Sequence, residues 1–156
     1  MAELAATIAA GLAARYRKLS SVVHDLTAPL SEEQFWAKPF AFGNSIGHLM
    51  LHLTGNLNYY IGAQIAGTGY VRDRPLEFSD ARRLSKAEVL KDFDQAIQTA
   101  IGAIQRQSAN EWSTPYTGAG ADARDRFEMV LACATHLHHH IGQMMYLGFE
   151  LQRKTE

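Results

Sequence analysis

The segment Thr135-His136-Leu137-His138-His139-His140-Ile141-Gly142-Gln143 gathers four of the chain's seven histidines into one apolar helical run. A second pair, His48 and His52, lies in Gly47-His48-Leu49-Met50-Leu51-His52-Leu53. In each segment two histidines stand four residues apart, which on an α-helix sets both rings on one face, ~40° apart around the axis. Neutral imidazole is a ligand for zinc, and it also suits nickel, copper and iron. Two such pairs facing each other across a bundle could hold a metal ion. The competing reading makes each histidine a core residue that has found a hydrogen bond. Two separate pairs weigh against it, because several buried imidazoles without partners carry a substantial desolvation cost.

Spacing sorts the histidines further. His136 and His140 form the chelating pair, and His52, mid-helix between Leu51 and Leu53, is a candidate third ligand. A catalytic zinc keeps three protein ligands and an open fourth position, where a bound water or thiol loses its proton near neutral pH. His138 points ~160° away from His136 and reads as a surface or subunit-contact residue. His139 lies ~60° to one side, as a hydrogen-bonding neighbour or helix–helix contact. His48 shares a face with His52 one turn away and reads as a neighbour that orients a ligand. His24, alone near the end of the first helix, reads as solvated. Cys133 is one turn before His136, but its Ala-Cys-Ala context reads as a small buried hydrophobe.

Several chemistries are excluded. His136-Leu137-His138-His139-His140 has zincin spacing but carries leucine where that motif needs its glutamate base. The Glu-x-x-His pairs of carboxylate-bridged di-iron bundles are missing around these histidines. No phosphate-binding glycine loop or serine-hydrolase elbow occurs. Fifteen basic residues against sixteen acidic ones leave a net charge of −1, which argues against nucleic-acid binding. A lone cysteine excludes an internal disulfide and fits a reducing compartment. No run of ~18 apolar residues reads as membrane-spanning. The alanine-rich stretch Ala2 to Ala14 reads as the reverse of a secretory signal, since its first charge, Glu3, is acidic and the basic Arg15, Arg17 and Lys18 follow it. The expected location is cytoplasmic.

The elements that must position these residues are helical from end to end. Leu4, Ile8, Leu12, Tyr16, Leu19 and Leu26 recur at helical steps, predicting a helix over 3–27 that Pro29 stops. Ser31-Glu32-Glu33-Gln34 resembles a capping box opening a short turn with Phe35 and Trp36. The second long helix starts at Asn44 or Ser45 and runs to about Ala66, where Gly67 and Gly69 end it. Residues 69–84, with Arg72, Arg74, Pro75, Arg82 and Arg83, read as a long connection. Ser85-Lys86-Ala87-Glu88 opens a third helix, striped by Leu90, Phe93, Ile97, Ile101 and Ile104, to about Ser108. Residues 112–120 read as loop, and a fourth helix opens near Asp122 and continues to about Gln152. Four long helices and a 47% hydrophobic composition predict one all-α domain over 1–156, a four-helix bundle. Connections this long exceed the usual ~2–8 residues of bundle loops, so a crossover is open to the chain.

Asn44-Ser45-Ile46-Gly47 followed by Leu51-His52-Leu53, with His136-x-x-x-His140-Ile141-Gly142-Gln143 near the C-terminus, resembles the DinB/YfiT-like family. The resemblance covers nearly the whole length. It implies an up-down-down-up four-helix bundle, often a homodimer, with a divalent metal held by one histidine of the second helix and two of the fourth. Carried over by position, those are His52, His136 and His140. Zinc or nickel is the implied metal, with iron as a third choice. Characterised members of the family are transferases or isomerases that use low-molecular-weight thiols such as bacillithiol, mycothiol or glutathione. The implied chemistry is thiol transfer to a small electrophilic substrate, with no nucleic acid and no membrane as partner. His48, Asn56, Tyr59 and Gln143 lie near the implied site by helical arithmetic, and Arg72 or Arg74 could meet an anionic thiol or substrate. The alternative is a non-catalytic metal-binding or stress-related bundle, its metal structural or sensed, with Cys133 or His48 closing the coordination sphere.

Overall fold

The computed structural model describes residues 2–79, 83–120 and 122–153, and Arg82 of the long connection lies outside them. Four long helices build the frame: α1 (Ala2–Thr27), α3 (Ile46–Leu57), α5 (Lys86–Gln105) and α7 (Arg126–Arg153). Three short ones, α2 (Glu32–Trp36), α4 (Arg74–Glu77) and α6 (Ala109–Trp112), lie in the connections. Beyond Leu57, α3 continues as a π-helical turn over Asn58–Ala63, so the second long element ends three residues before Ala66. No strand is present among the described residues, where Pro115 and Asp125 form a single antiparallel bridge.

The start signals behave as their chemistry dictates. Ser31, Ser45, Ser85 and Ser108 each accept a hydrogen bond from the backbone N–H three residues on, satisfying a donor the helix cannot. The fourth helix departs from expectation. It opens at Arg126 rather than near Asp122, because the bridge at Asp125 holds the preceding chain extended and Asp125 Oδ1 then accepts the Glu128 N–H at 2.9 Å. The third helix ends at Gln105, and α6 begins a new turn after the Ser108 cap.

α1 and α3 each pack on both α5 and α7, which sets α1 and α3 at opposite corners of the bundle. Lys86 Nζ at the start of α5 donates to the carbonyls of Thr27 (3.0 Å) and Leu30 (2.6 Å) at the end of α1, so those helices run in opposite directions. Tyr60 near the end of α3 donates to the Gly120 carbonyl at 3.0 Å, just ahead of α7, and sets that pair antiparallel too. The diagonal steps from α1 to α3 and from α5 to α7 explain the long connections. Each carries a short helix that plugs the bundle: Phe35 and Trp36 from α2, and Trp112 from α6, are buried.

The core is one contiguous cluster drawn from all four long helices, with Tyr16, Phe93, Met50, Ile104, Leu137 and Met144 among its fully buried members. Burying each such side chain contributes roughly 1.5–3 kcal/mol. Tyr16 also donates its buried hydroxyl to the Val130 carbonyl at 2.8 Å, tying α1 to α7. His24 is half-exposed and bonds Asp94 at 2.7 Å, a link from α1 to α5 rather than to solvent alone.

Where α2 meets α3, the indole of Trp36 lies flat on Gly47. A Cβ at position 47 would come within 2.5 Å of the ring. Gly47→Ala should therefore push Trp36 out of place and destabilise the fold by about 1–3 kcal/mol. Urea denaturation measures this, and a variant as stable as the parent would show that the α2 plug contributes little.

Candidate metal centre

α3 and α7 meet at the level of His52, and helical spacing does the rest. Four residues make slightly more than one turn, so His136 and His140 present both rings to the same point on α3. The three imidazoles of His52, His136 and His140 offer ligand atoms that all lie within 4.8 Å of one another. Ring centroids are 5.1 Å apart for His52–His136, 5.0 Å for His52–His140 and 4.5 Å for His136–His140. His52 is buried, while His136 and His140 are half-buried. Phe78 packs against the His52 ring at 5.0 Å.

The donor set fits a metal ion. His52 Nε2 and His136 Nε2 approach to 2.9 Å. The other nitrogens of two rings are already engaged: His52 Nδ1 meets Glu77 Oε2 at 2.8 Å, and His140 Nδ1 meets Gln143 Oε1 at 2.7 Å. An imidazole that donates from Nδ1 keeps a lone pair on Nε2, so both rings are left with a free ligand atom. Burial, reinforced by the neighbouring His140 and His52, pushes His136 down to about 4, and burial also lowers His140. Both rings are therefore neutral at physiological pH, the form that binds metal.

The other residues singled out from sequence fall into distinct places. Gln143 reaches the cluster through His140, and its Nε2 is 3.3 Å from His139 Nε2. His138 is exposed. His48 stands outside the three-ligand group: its Nδ1 takes the Ser45 hydroxyl at 2.6 Å, so it fills the glutamate position of a capping box. Asn56 is buried one turn beyond His52, and the half-buried Tyr59 ring packs 5.0 Å from Tyr60 on the π-helical turn. Cys133 is buried and not part of the group, and burial raises its thiol to about 12.

The connection over 69–79 holds what sequence reasoning missed. Glu77, on α4, is buried and binds both His52 and Arg72. Arg72 grips it with Nε to Oε1 at 2.6 Å and Nη2 to Oε2 at 2.9 Å, so this arginine is committed inside the protein rather than offered to an anion. Arg74 instead lies over the Phe78 ring. Burial alone would raise the Glu77 carboxyl, but the hydrogen bonds and charges of His52 and Arg72 outweigh it and hold the group below its ordinary value. A signal was present: Asp73 caps α4 by accepting the Leu76 N–H, and Pro75 stands in its first turn. Asp-Arg-Pro is a helix start, and it presents Glu77 one turn on.

Among the described residues no helix is long and apolar enough to cross a membrane. No curated protein and no solved structure matches the chain. The DinB superfamily does match, over residues 13–144, a span that reaches into all four long helices and takes in all three converging histidines. With that match over most of its length and an all-helical bundle around the histidine cluster, the chain belongs to the DinB superfamily.

Proposed function

We propose that this protein binds one divalent metal ion through His52, His136 and His140 and uses it to transfer a low-molecular-weight thiol to a small electrophile. The observation that carries the reading is a three-imidazole group without a fourth side-chain donor among the described residues, two of its rings half-exposed. Structural zinc sites are closed by four protein ligands, whereas catalytic ones keep a position for an outside molecule. A bound ion would supply one thing there, a lowered pKa for a coordinated thiol. The chain's own residues do the remainder. His136 and His140 are kept neutral by burial, Gln143 orients His140, and Phe78 shields the His52 ring from water. Zinc or nickel suits an all-imidazole set, and iron is the third candidate.

A second reading, a non-catalytic bundle with a structural or sensed metal, draws support from one observation. The carboxylate beside the histidines, Glu77, is already bonded to His52 and Arg72 and is thereby withheld from acid–base work.

Untagged protein should carry about one equivalent of metal by elemental analysis. With bacillithiol, mycothiol or glutathione and a chromogenic electrophile, metal-loaded protein should turn over, and His52→Ala should reduce the rate at least ~10-fold. Turnover that His52→Ala leaves unchanged overturns the enzymatic reading. Metal at stoichiometry without turnover for any thiol favours the second.

The metal-free protein has its own pH signature. His136 titrates near 4 in the folded chain and near 6.5 when unfolded. Its contribution to stability is therefore full above about 6.5 and lost as the pH falls from there through about 4. Thermal melts of metal-free protein across that window should fall steadily, and His136→Gln should flatten the slope. Equal slopes for the two proteins would contradict the assignment.

A further inference from the structure

Buried ion pairs are poor sources of stability, because desolvating both charges offsets most of their attraction. Glu77 and Arg72 are nonetheless buried together, with side chains 6% and 9% exposed, against the metal-facing helix α3. A carboxylate only accepts hydrogen bonds, so the 2.8 Å contact between His52 Nδ1 and Glu77 Oε2 places the proton on Nδ1. The two-pronged grip of Arg72 then fixes the plane in which that carboxylate lies.

Position 55 shows what this arrangement requires of α3. Glycine is a poor helix former, yet Gly55 stands in mid-helix, three residues after His52. A Cβ there would overlap Glu77 Oε1 and lie 3.5 Å from Arg72 Nε. The missing side chain is the notch into which the carboxylate fits.

We propose that Glu77 is the positioning residue of the metal centre, seated by Arg72 in the notch left by Gly55, and that it fixes His52 in the tautomer whose bare Nε2 faces the ion. This rests on the metal binding proposed above. The roles of His52 and His140 then differ. His140 is steered by an exposed, neutral amide, whereas His52 is steered by a buried anion that also makes its ring a stronger donor. Metal affinity thus depends on a segment that contributes no ligand.

The full chain, metal-free, is titrated with zinc against a chromophoric chelator, and its cobalt form is followed by visible absorption. Four proteins are compared: the parent, His52→Ala, Gly55→Ala and Glu77→Gln. Alanine at 55 meets the carboxylate end of Glu77 rather than any backbone, and its better helix propensity offsets part of the cost of moving that carboxylate. The metal-free protein should therefore still fold, with a modestly lower melting temperature. Zinc affinity should nonetheless fall about 10- to 100-fold, with altered cobalt bands. Glu77→Gln keeps an acceptor oxygen for His52 and should lose less. If His52→Ala binds zinc like the parent, the metal reading itself is wrong. If His52→Ala loses zinc while Gly55→Ala and Glu77→Gln match the parent in affinity and spectrum, the positioning role is overturned and the metal reading stands. A metal-free Gly55→Ala protein that does not fold, with Glu77→Gln equal to the parent in affinity and spectrum, also overturns it, by reducing the effect to fold stability.

Discussion

Three imidazoles whose ligand atoms lie within 4.8 Å of one another cannot all carry a positive charge, and the arrangement of the site follows from that constraint. Burial and mutual repulsion keep His136 and His140 neutral. Neutrality creates a second demand, because lone pairs that converge also repel. His52 has its proton on the Glu77 side and His140 on the Gln143 side, so their inner nitrogens are bare. In the metal-free chain the 2.9 Å contact between His52 and His136 is a hydrogen bond only if His136 brings the proton. His140 gains nothing from that bond. A cation would satisfy all three rings at once.

The bundle makes that convergence affordable by holding both ligand helices rigidly. α3 and α7 run antiparallel, α3 packs also on α5 and α7 also on α1, and α1 and α5 pack on each other to close the ring. Because α1 and α3 occupy opposite corners, the chain must cross the bundle end between them, and α2 fills that end with Phe35 and Trp36. The same holds for α6 and Trp112 between α5 and α7. Long connections are thus packing elements in this fold. The one between α3 and α5 goes further and delivers Glu77 to the site.

Periodicity and capping chemistry made the frame legible in the sequence. The serine caps at positions 31, 45 and 85 and the i, i+4 histidines are local patterns, and local patterns survive folding unchanged. His52 as partner to a pair 84 residues away is a long-range statement, which spacing alone only nominated and the family resemblance narrowed. His48 shares a face with His52, and its position three residues after Ser45 also gives its ring a cap to complete. The Asp73 cap could have placed Glu77 on a helix, but its role lies in tertiary contact. A single glutamate in an aperiodic stretch looks solvated until Arg72 and Gly55 are seen around it. Gly55 stands inside a helical pattern that gives no sign of its role. Only the carboxylate lodged against it shows what a side chain there would exclude.

The one cysteine bears on whether the centre is closed or open. Cys133 lies three residues before His136 on α7, near enough in sequence to serve as a fourth ligand. It is turned instead into the core, where burial raises its thiol to about 12. Its sulfur lies outside the three-imidazole group. His48, the other candidate, is occupied by Ser45. Glu77 is held on the far nitrogen of His52. Among the described residues each of these three side chains has thus been given other work, which leaves the proposed site open to a donor from outside the chain. That is the arrangement a metal centre needs if a diffusible thiol is to find a place on it.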